Sequence, residues 1–399
     1  MPPVKALLLE NIHSEAVRLL TARGHEVDLR PGALGESELI EALQGVQLLG
    51  IRSRTHLTRA VFEACPDLVA VGAFCIGTNQ VDLDAAAAAG VPVFNAPYSN
   101  TRSVVELALG EIIAMARRLS DRNADMHAGI WDKSAVGAHE VRGRTLGIVG
   151  YGNIGSQLSV LAEALGMRVY FYDLVDRLAL GNATRVDSME ELFATCETIS
   201  LHVDGRASNK NLIGAKEFAQ MRPRTLFLNL CRGNVVDIDA LAEVLRSGHI
   251  AGAAVDVFPS EPKSRNEPFS SPLQGIPNVI LTPHVGGSTQ EAQVDIGRYV
   301  AGKLADHEEF GTTSMCVNLP EVSVGGAQAE RVLHLHRNVP GVLARLNNVL
   351  AGHNMNIGAQ MLATLGEYGY AVTDVSGEHY DGLLQELQGL EETIRVRVI

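Results

Sequence analysis

Apolar and polar positions along this chain change rhythm from one stretch to the next. From residue 4 to 94, short apolar runs alternate with helical segments. Strands are predicted at Val4–Leu9, Leu48–Ile51, Leu68–Phe74 and Val93–Asn95, and helices at His13–Ala22, Arg59–Cys65 and Asp82–Ala89, with Gly24 and Gly90 as stops. Apolar strands interleaved with helices predict a parallel sheet covered on both faces. From Asn100 to Met126 apolar positions recur at threes and fours. That spacing predicts one long helix bridging two domains, with Gly110 tolerated at modest cost. The alternation then resumes, with strands Thr145–Val149, Arg168–Tyr172, Thr198–His202, Thr225–Leu230, Ala251–Val257 and Asn278–Thr282. Helices Met189–Cys196, Ala215–Met221 and Ala240–Arg246 lie between them.

A further helix is expected from Ser288 to about Phe310, followed by a loop-like stretch, Thr312–Ala327. Beyond Gly326 the order becomes strand Arg331–His336, helix Gly341–His353, strands Asn356–Leu362 and Tyr370–Val375, helix Leu383–Leu387 and strand Thr393–Val398. That is a βαββαβ, ferredoxin-like pattern. The fold class is therefore α/β: two doubly wound parallel-sheet domains and a C-terminal sandwich. If the helix after Ser288 returns to the first sheet, the domains are 1–99 with 287–327, an inserted 100–286, and 328–399. Two adjacent crossings would then form a hinge beside a cleft.

Composition narrows the class of protein. The chain has 399 residues, 46% apolar and 20% charged, with a net charge of −13. An acidic balance argues against nucleic acid as the main ligand. No apolar run is long enough to span a bilayer, and the N-terminus reads as a first strand and not as a signal peptide. Five dispersed cysteines with no C-x-x-C suit a reducing cytoplasm, and no zinc or other metal site is expected. An anionic substrate would need a local basic cluster.

The most specific chemistry lies in Arg144–Asp173. Gly150, Gly152 and Gly155 stand at G-x-G-x-x-G spacing between an apolar strand and a helix, and a second strand ends at Asp173. The first glycine allows a tight turn, the second lets a pyrophosphate approach, and the third lets helix and strand pack closely. The helix N-terminus offers free N–H groups to phosphates. A carboxylate at Asp173 suits ribose hydroxyls and repels a 2′-phosphate, so NAD is expected over NADP.

Three polar residues follow predicted strands of the same sheet: Arg232, Glu261 and His284. Carboxyl ends of strands are where open α/β sheets bind ligands. Hydride transfer from an alcohol carbon needs a base, which His supplies, and a cation for a carboxylate and carbonyl oxygen, which Arg supplies. A carboxylate beside the His would orient its ring. Arg52 and Arg54, at a strand end in an acidic chain, suit a phosphate; Arg102 is a weaker candidate.

The stretches GYGNIGSQL, NLCRGNVVDIDAL, AGAAVDVFPSEP, LTPHVGGSTQEAQ and NAPYSNTRSVVELALGE resemble the D-isomer-specific 2-hydroxyacid dehydrogenase family. Within it the chain is similar to the bacterial type that acts on 3-phosphoglycerate and carries a C-terminal ACT domain. The resemblance implies a flavodoxin-like substrate-binding domain (1–99 and 287–327), a Rossmann NAD-binding domain (100–286) and an ACT regulatory domain (328–399). It implies a catalytic set of Arg232, Glu261 and His284. Cofactor contacts would fall on the three glycines and on Asn153, Ile154, Asp173, His202, Val203, Cys231, Arg232, Asp256, His284, Gly286 and Gly287. Substrate contacts would fall on Arg52, Ser53, Arg54 and Asn100. The implied reaction oxidises 3-phosphoglycerate with NAD in serine biosynthesis. Serine is the implied effector, gripped between paired ACT domains at His336, Asn338 and Asn356, in a homotetramer. Val339 departs from the pattern, where the family often has a basic residue. Trp131 and Lys133 resemble a segment that reaches a neighbouring subunit. Two alternatives stand beside this reading: a reductase of hydroxypyruvate, glyoxylate or 2-oxoglutarate, and a non-catalytic NADH-sensing module.

Overall fold

The computed structural model describes residues 3–262, 266–326, 330–377 and 382–399. The expected domain border at 327–328 lies outside them. Two compact units are present: Met1–Ser99 with Gln293–Ile399, and Asn100–Ala292.

The first unit opens with β1 (Lys5–Leu8), α1 (Ser14–Ala22), β2 (Glu26–Leu29), α2 (Glu36–Ala42), β3 (Leu48–Ile51), α3 (Arg59–Ala64), β4 (Ala70–Ala73), α4 (Leu83–Ala88) and β5 (Val93–Asn95). The strands are parallel in the order β2-β1-β3-β4-β5, the flavodoxin-like winding. Alternate side chains serve opposite faces: Leu7, Leu49, Val71 and Val93 on one, Leu8, Leu48 and Ala70 on the other. Sequence periodicity misses β2 and α2. As an edge strand, β2 is mostly exposed, and α2 buries only Leu39, so neither carries an apolar signature.

In the second unit the expected helix over 100–126 is two helices, α5 (Thr101–Ala116) and α6 (Leu119–His127). The break lies at Arg118, whose φ of 52° is left-handed. Its guanidinium pairs with Asp121 at 2.8 Å, and the other Asp121 oxygen accepts the Asn278 N–H at 2.9 Å. Tertiary anchoring of this turn overrides the helical periodicity. Then come β6 (Thr145–Val149), α7 (Asn153–Ala164), β7 (Arg168–Tyr172), β8 (Thr184–Arg185), α8 (Met189–Thr195), β9 (Thr198–Leu201), α9 (Ala215–Gln220), β10 (Thr225–Asn229), α10 (Ile238–Arg246), β11 (Ile250–Val255) and β12 (Val279–Leu281). The sheet order β12-β11-β10-β9-β6-β7-β8 is the Rossmann winding, with its topological switch between β6 and β9.

Helix α11 (Gln290–Phe310) lays Val300, Leu304 and Ala305 on the Leu8 face of the first sheet. The chain ends in β13 (Glu330–Arg337), α12 (Val342–Gly352), β14 (Asn356–Leu365), β15 (Tyr368–Ser376), α13 (Leu383–Gln388) and β16 (Thr393–Val398), an antiparallel sheet ordered β14-β15-β13-β16. It packs on the first sheet domain: Arg395 donates to the Leu68 carbonyl at 2.6 Å, and the Tyr370 hydroxyl to that of Gly311 at 2.7 Å. No helix of the described residues is long and apolar enough to cross a membrane.

Candidate active site

The glycine loop sits at the sheet's switch point. Gly150 has φ +92°, and a Cβ there would lie 2.5 Å from the His202 carbonyl oxygen, so only glycine allows β6 and β9 to end side by side. A Cβ on Gly155 would meet the Gly150 oxygen at 2.3 Å, whereas one on Gly152 would meet nothing within 4 Å. Two glycines are thus demanded by packing, and the third faces open space at the start of α7. Asn153 and Ile154 form the first turn of that helix, where backbone N–H groups have no helical partner. This fits a pyrophosphate.

Asp173 follows β7. Its oxygens accept the N–H of Tyr151 at 2.8 Å and of Val175 at 2.9 Å, which fixes the carboxylate while leaving lone pairs for two hydroxyls. His202, after β9, bonds Ser200 Oγ at 2.8 Å, and its buried Nδ1 has no partner among the described residues. Burial pushes its pKa down to about 4, so the ring is neutral. Val203 packs against Gly150. The Cys231 thiol is pushed up to about 11, chiefly by burial, so it is no nucleophile.

Arg232, Glu261 and His284 come from the loops after β10, β11 and β12. Gly233 allows the first two loops to touch: a Cβ there would fall 2.0 Å from the Phe258 carbonyl carbon. Glu261 Oε1 accepts the Phe258 N–H at 3.0 Å, and its Oε2 meets His284 Nδ1 at 2.8 Å. His284 has φ 55° and is held there by N–H bonds to the carbonyls of Asp256 (2.8 Å) and Thr282 (3.1 Å). The Glu261 hydrogen bond raises the His284 pKa above its ordinary 6.5 against the opposing effect of burial. Burial also disfavours ionised Glu261, but the His284 bond, the Phe258 N–H and the charges of His284 and Arg232 outweigh it and hold its pKa low. Arg232 thus lies within electrostatic reach of both.

Asp256 secures the His284 loop. Its Oδ1 accepts Thr282 Oγ1 at 2.6 Å and the Val285 N–H at 2.8 Å, and its Oδ2 the Gly286 N–H at 2.8 Å. A Cβ on Gly287 would lie 2.0 Å from Asn100 Nδ2. Asn100 therefore backs this loop, and its Oδ1 is buried without a partner among the described residues.

In the other unit, Arg52, Ser53 and Arg54 form a loop after β3. Buried Glu10 organises it. One carboxylate oxygen accepts the N–H of Arg52 (3.2 Å) and Thr55 (2.8 Å), and the other that of Arg54 (3.0 Å). Burial opposes its ionisation, but hydrogen bonds from Thr55, Arg54 and Arg52 hold its pKa below the ordinary 4.5. Gln80 adds a bond to the Arg52 carbonyl at 2.6 Å. Sequence reasoning missed Glu10, although a carboxylate ending an apolar strand was the available signal. It also missed Glu111, a buried acid in the apolar stripe of α5. Burial and then the charge of Asp256 push Glu111 up to about 8. Arg102 is engaged with Glu106 on the helix surface.

His336 is buried near the end of β13, bonding the Arg337 carbonyl at 2.9 Å, and Asn338 donates to the Gly366 carbonyl. Asn356 opens β14. Through β15, His336 is opposite Gly369 and Asn356 opposite Ser376. One copy therefore places them at opposite ends of the sheet, about 23 Å apart at the usual strand rise. Trp131 is 72% exposed, with the Lys133 ammonium 5.8 Å from its ring centroid.

Residues 109–286 match the profile of the D-isomer specific 2-hydroxyacid dehydrogenase NAD-binding domain. Residues 332–395 match that of the AHAS small subunit-like ACT domain. The chain is 52% identical over 398 residues to a D-3-phosphoglycerate dehydrogenase of Haemophilus influenzae, covering 99% of this chain and 97% of that one. It is 49% identical over 399 residues to one of Escherichia coli, with the same coverage. Among solved structures, a D-lactate dehydrogenase from Sporolactobacillus superposes with a TM-score of 0.69 at 29% identity, covering 80% of this chain and all of that one. Glycine loop, imidazole–carboxylate pair and sequence agreement along the whole length converge: this chain belongs to the D-isomer specific 2-hydroxyacid dehydrogenase family, on the branch that ends in an ACT domain.

Proposed function

We propose that the chain oxidises 3-phosphoglycerate at C2 to 3-phosphohydroxypyruvate with NAD, the first step of serine biosynthesis. The observation that carries this reading is the 2.8 Å bond from Glu261 to His284 Nδ1, at the carboxyl ends of the strands that continue from the glycine loop's sheet. It leaves His284 Nε2 to take the hydroxyl proton, and Glu261 stabilises the imidazolium that forms. Arg232 holds the substrate carboxylate and the C2 oxygen with its planar fork. Arg52 and Arg54 take the phosphate, with Ser53 and Asn100 as further polar contacts. The glycine loop and Asp173 hold the cofactor, and Asp256 with Gly286 and Gly287 fixes the loop that presents His284. When bound, NAD supplies the carbon that accepts the hydride.

The relatives bear the name of a phosphoglycerate enzyme, and an Arg52–Arg54 loop fixed by a buried carboxylate suits a phosphorylated substrate better than glyoxylate or hydroxypyruvate. Serine is the proposed effector. Because His336 and Asn338 lie far from Asn356 in one copy, a site using all three needs two ACT domains side by side, in keeping with a homotetramer. NADH absorbance with 3-phosphohydroxypyruvate, hydroxypyruvate, glyoxylate and 2-oxoglutarate tests the assignment. Turnover highest with the phosphorylated acid supports it, and preference for any of the others overturns it.

A further inference from the structure

The unit Asn100–Ala292 has a second cavity, of about 820 Å3, at the end of its sheet opposite the glycine loop. Its wall is built where strands begin: Arg144 precedes β6, Arg224 precedes β10, and Asn278 precedes β12. Five arginines line it (Arg118, Arg144, Arg222, Arg224 and Arg246), together with His139, against one carboxylate, Glu197. In a chain of net charge −13, this sign is opposite to the average surface.

The local acids do not neutralise it. Glu197 reaches Arg144 at 3.5 Å, and Asp121 pairs with Arg118 at 2.8 Å. Among the described residues, Arg222 and Arg246 donate only to the main-chain oxygens of Thr195 and Pro272. Arg224 has no side-chain partner among the described residues. Arg144 Nε is buried with no acceptor among the described residues. Moreover, two guanidiniums converge. The point where a Cβ would stand on Gly137 is 3.5 Å from Arg118 Nη1 and 3.9 Å from Arg224 Nη2. Gly137, with φ +75°, leaves that point empty of side chain. Arg224 itself holds a left-handed φ of 70°, fixed by its N–H bond to the His249 carbonyl at 2.6 Å. Such conformations in non-glycine residues cluster at ligand sites.

We propose that this cavity binds a phosphate-bearing small molecule, at a site separate from those for cofactor and substrate. Converging guanidinium forks call for a ligand with more acceptor oxygens than one carboxylate offers, and phosphate has them. The volume is in the range of small-molecule sites.

The test is calorimetric titration of NADH-saturated protein carrying Arg52→Gln and Arg54→Gln with inorganic pyrophosphate. NADH closes the glycine loop to the probe, and the two substitutions silence the proposed substrate-phosphate loop. One saturable site is expected, weakened about tenfold or more by adding Arg222→Gln and Arg224→Gln. NADH fluorescence, read in parallel, reports the cofactor site independently and should not change. Absence of saturable binding up to about 10 mM, or equal affinity in both proteins, overturns the proposal. Should the combined variant unfold, Arg224→Gln alone carries the test, since it removes no side-chain hydrogen bond among the described residues.

Discussion

Replacing Glu10 by Gln probes whether the Arg52–Arg54 loop reads phosphate. The native carboxylate serves three backbone N–H groups with two oxygens, and its side chain is only 2% exposed. Glutamine keeps one oxygen. If that oxygen takes the Arg52 and Thr55 N–H groups, the new amide nitrogen faces the N–H of Arg54, donor against donor. Leaving one buried N–H unsatisfied, and removing the charge from the other bonds, costs about 2 kcal/mol. Placed wholly on loop order, that is about 30-fold in affinity for a ligand that needs the loop. Initial rates with NADH should show KM for 3-phosphohydroxypyruvate rising by about 10- to 30-fold, with little change for hydroxypyruvate, which has no phosphate. The native Glu10 pKa is lowered, so its contribution to stability is present above 4.5 and fades as pH falls through the depressed value. The variant should lack that acid-dependent component in melting experiments. Equal KM changes for both substrates, or none, would refute the reasoning.

Other consequences concern the catalytic pair, the glycine loop and the effector site. His284→Ala should lose most turnover, by about a hundredfold or more, while NADH still quenches protein fluorescence; unchanged turnover would remove His284 from the mechanism. Oxidation needs the neutral imidazole, so its rate should rise with pH through a value above 6.5, and Glu261→Gln should move that limb to lower pH by removing its largest cause; an unmoved profile contradicts the pairing. Gly152→Ala should weaken NADH binding about tenfold or more at unchanged melting temperature. Gly155→Ala should instead lower stability by about 1–3 kcal/mol, because its Cβ meets backbone. Identical outcomes for the two would dismiss the distinction between open and packed glycines. Serine at millimolar concentration should lower the rate, and sedimentation should give a tetramer that Asn356→Ala leaves intact while blunting inhibition; a rate insensitive to serine sinks the effector reading.

The sequence alone carried what depends on local pattern. Apolar runs located β3, β5, β6, β7 and β16 with the bounds observed; β3 and β6 are buried throughout, and a strand buried on both faces cannot hide its composition. The glycine spacing marked a phosphate loop because its geometry forbids a Cβ at two positions and leaves the third open. Arg232, Glu261 and His284 were legible as strand-end residues, and family likeness linked them. Tertiary structure alone decided the rest. Edge strand β2 and helix α2 bury too little to show a pattern, and the break at Arg118 depends on Asn278, which lies 157 residues from the Asp121 it bonds. Glu10 reads as an ordinary charge until folding surrounds it with three N–H groups 42 to 45 residues away. That His336 and Asn356 stand at opposite ends of one sheet is set by the register of β15. Local pattern follows from which side chains tolerate water. Partners follow from which distant backbone groups the packed sheets bring within hydrogen-bonding range, and periodicity contains no record of that.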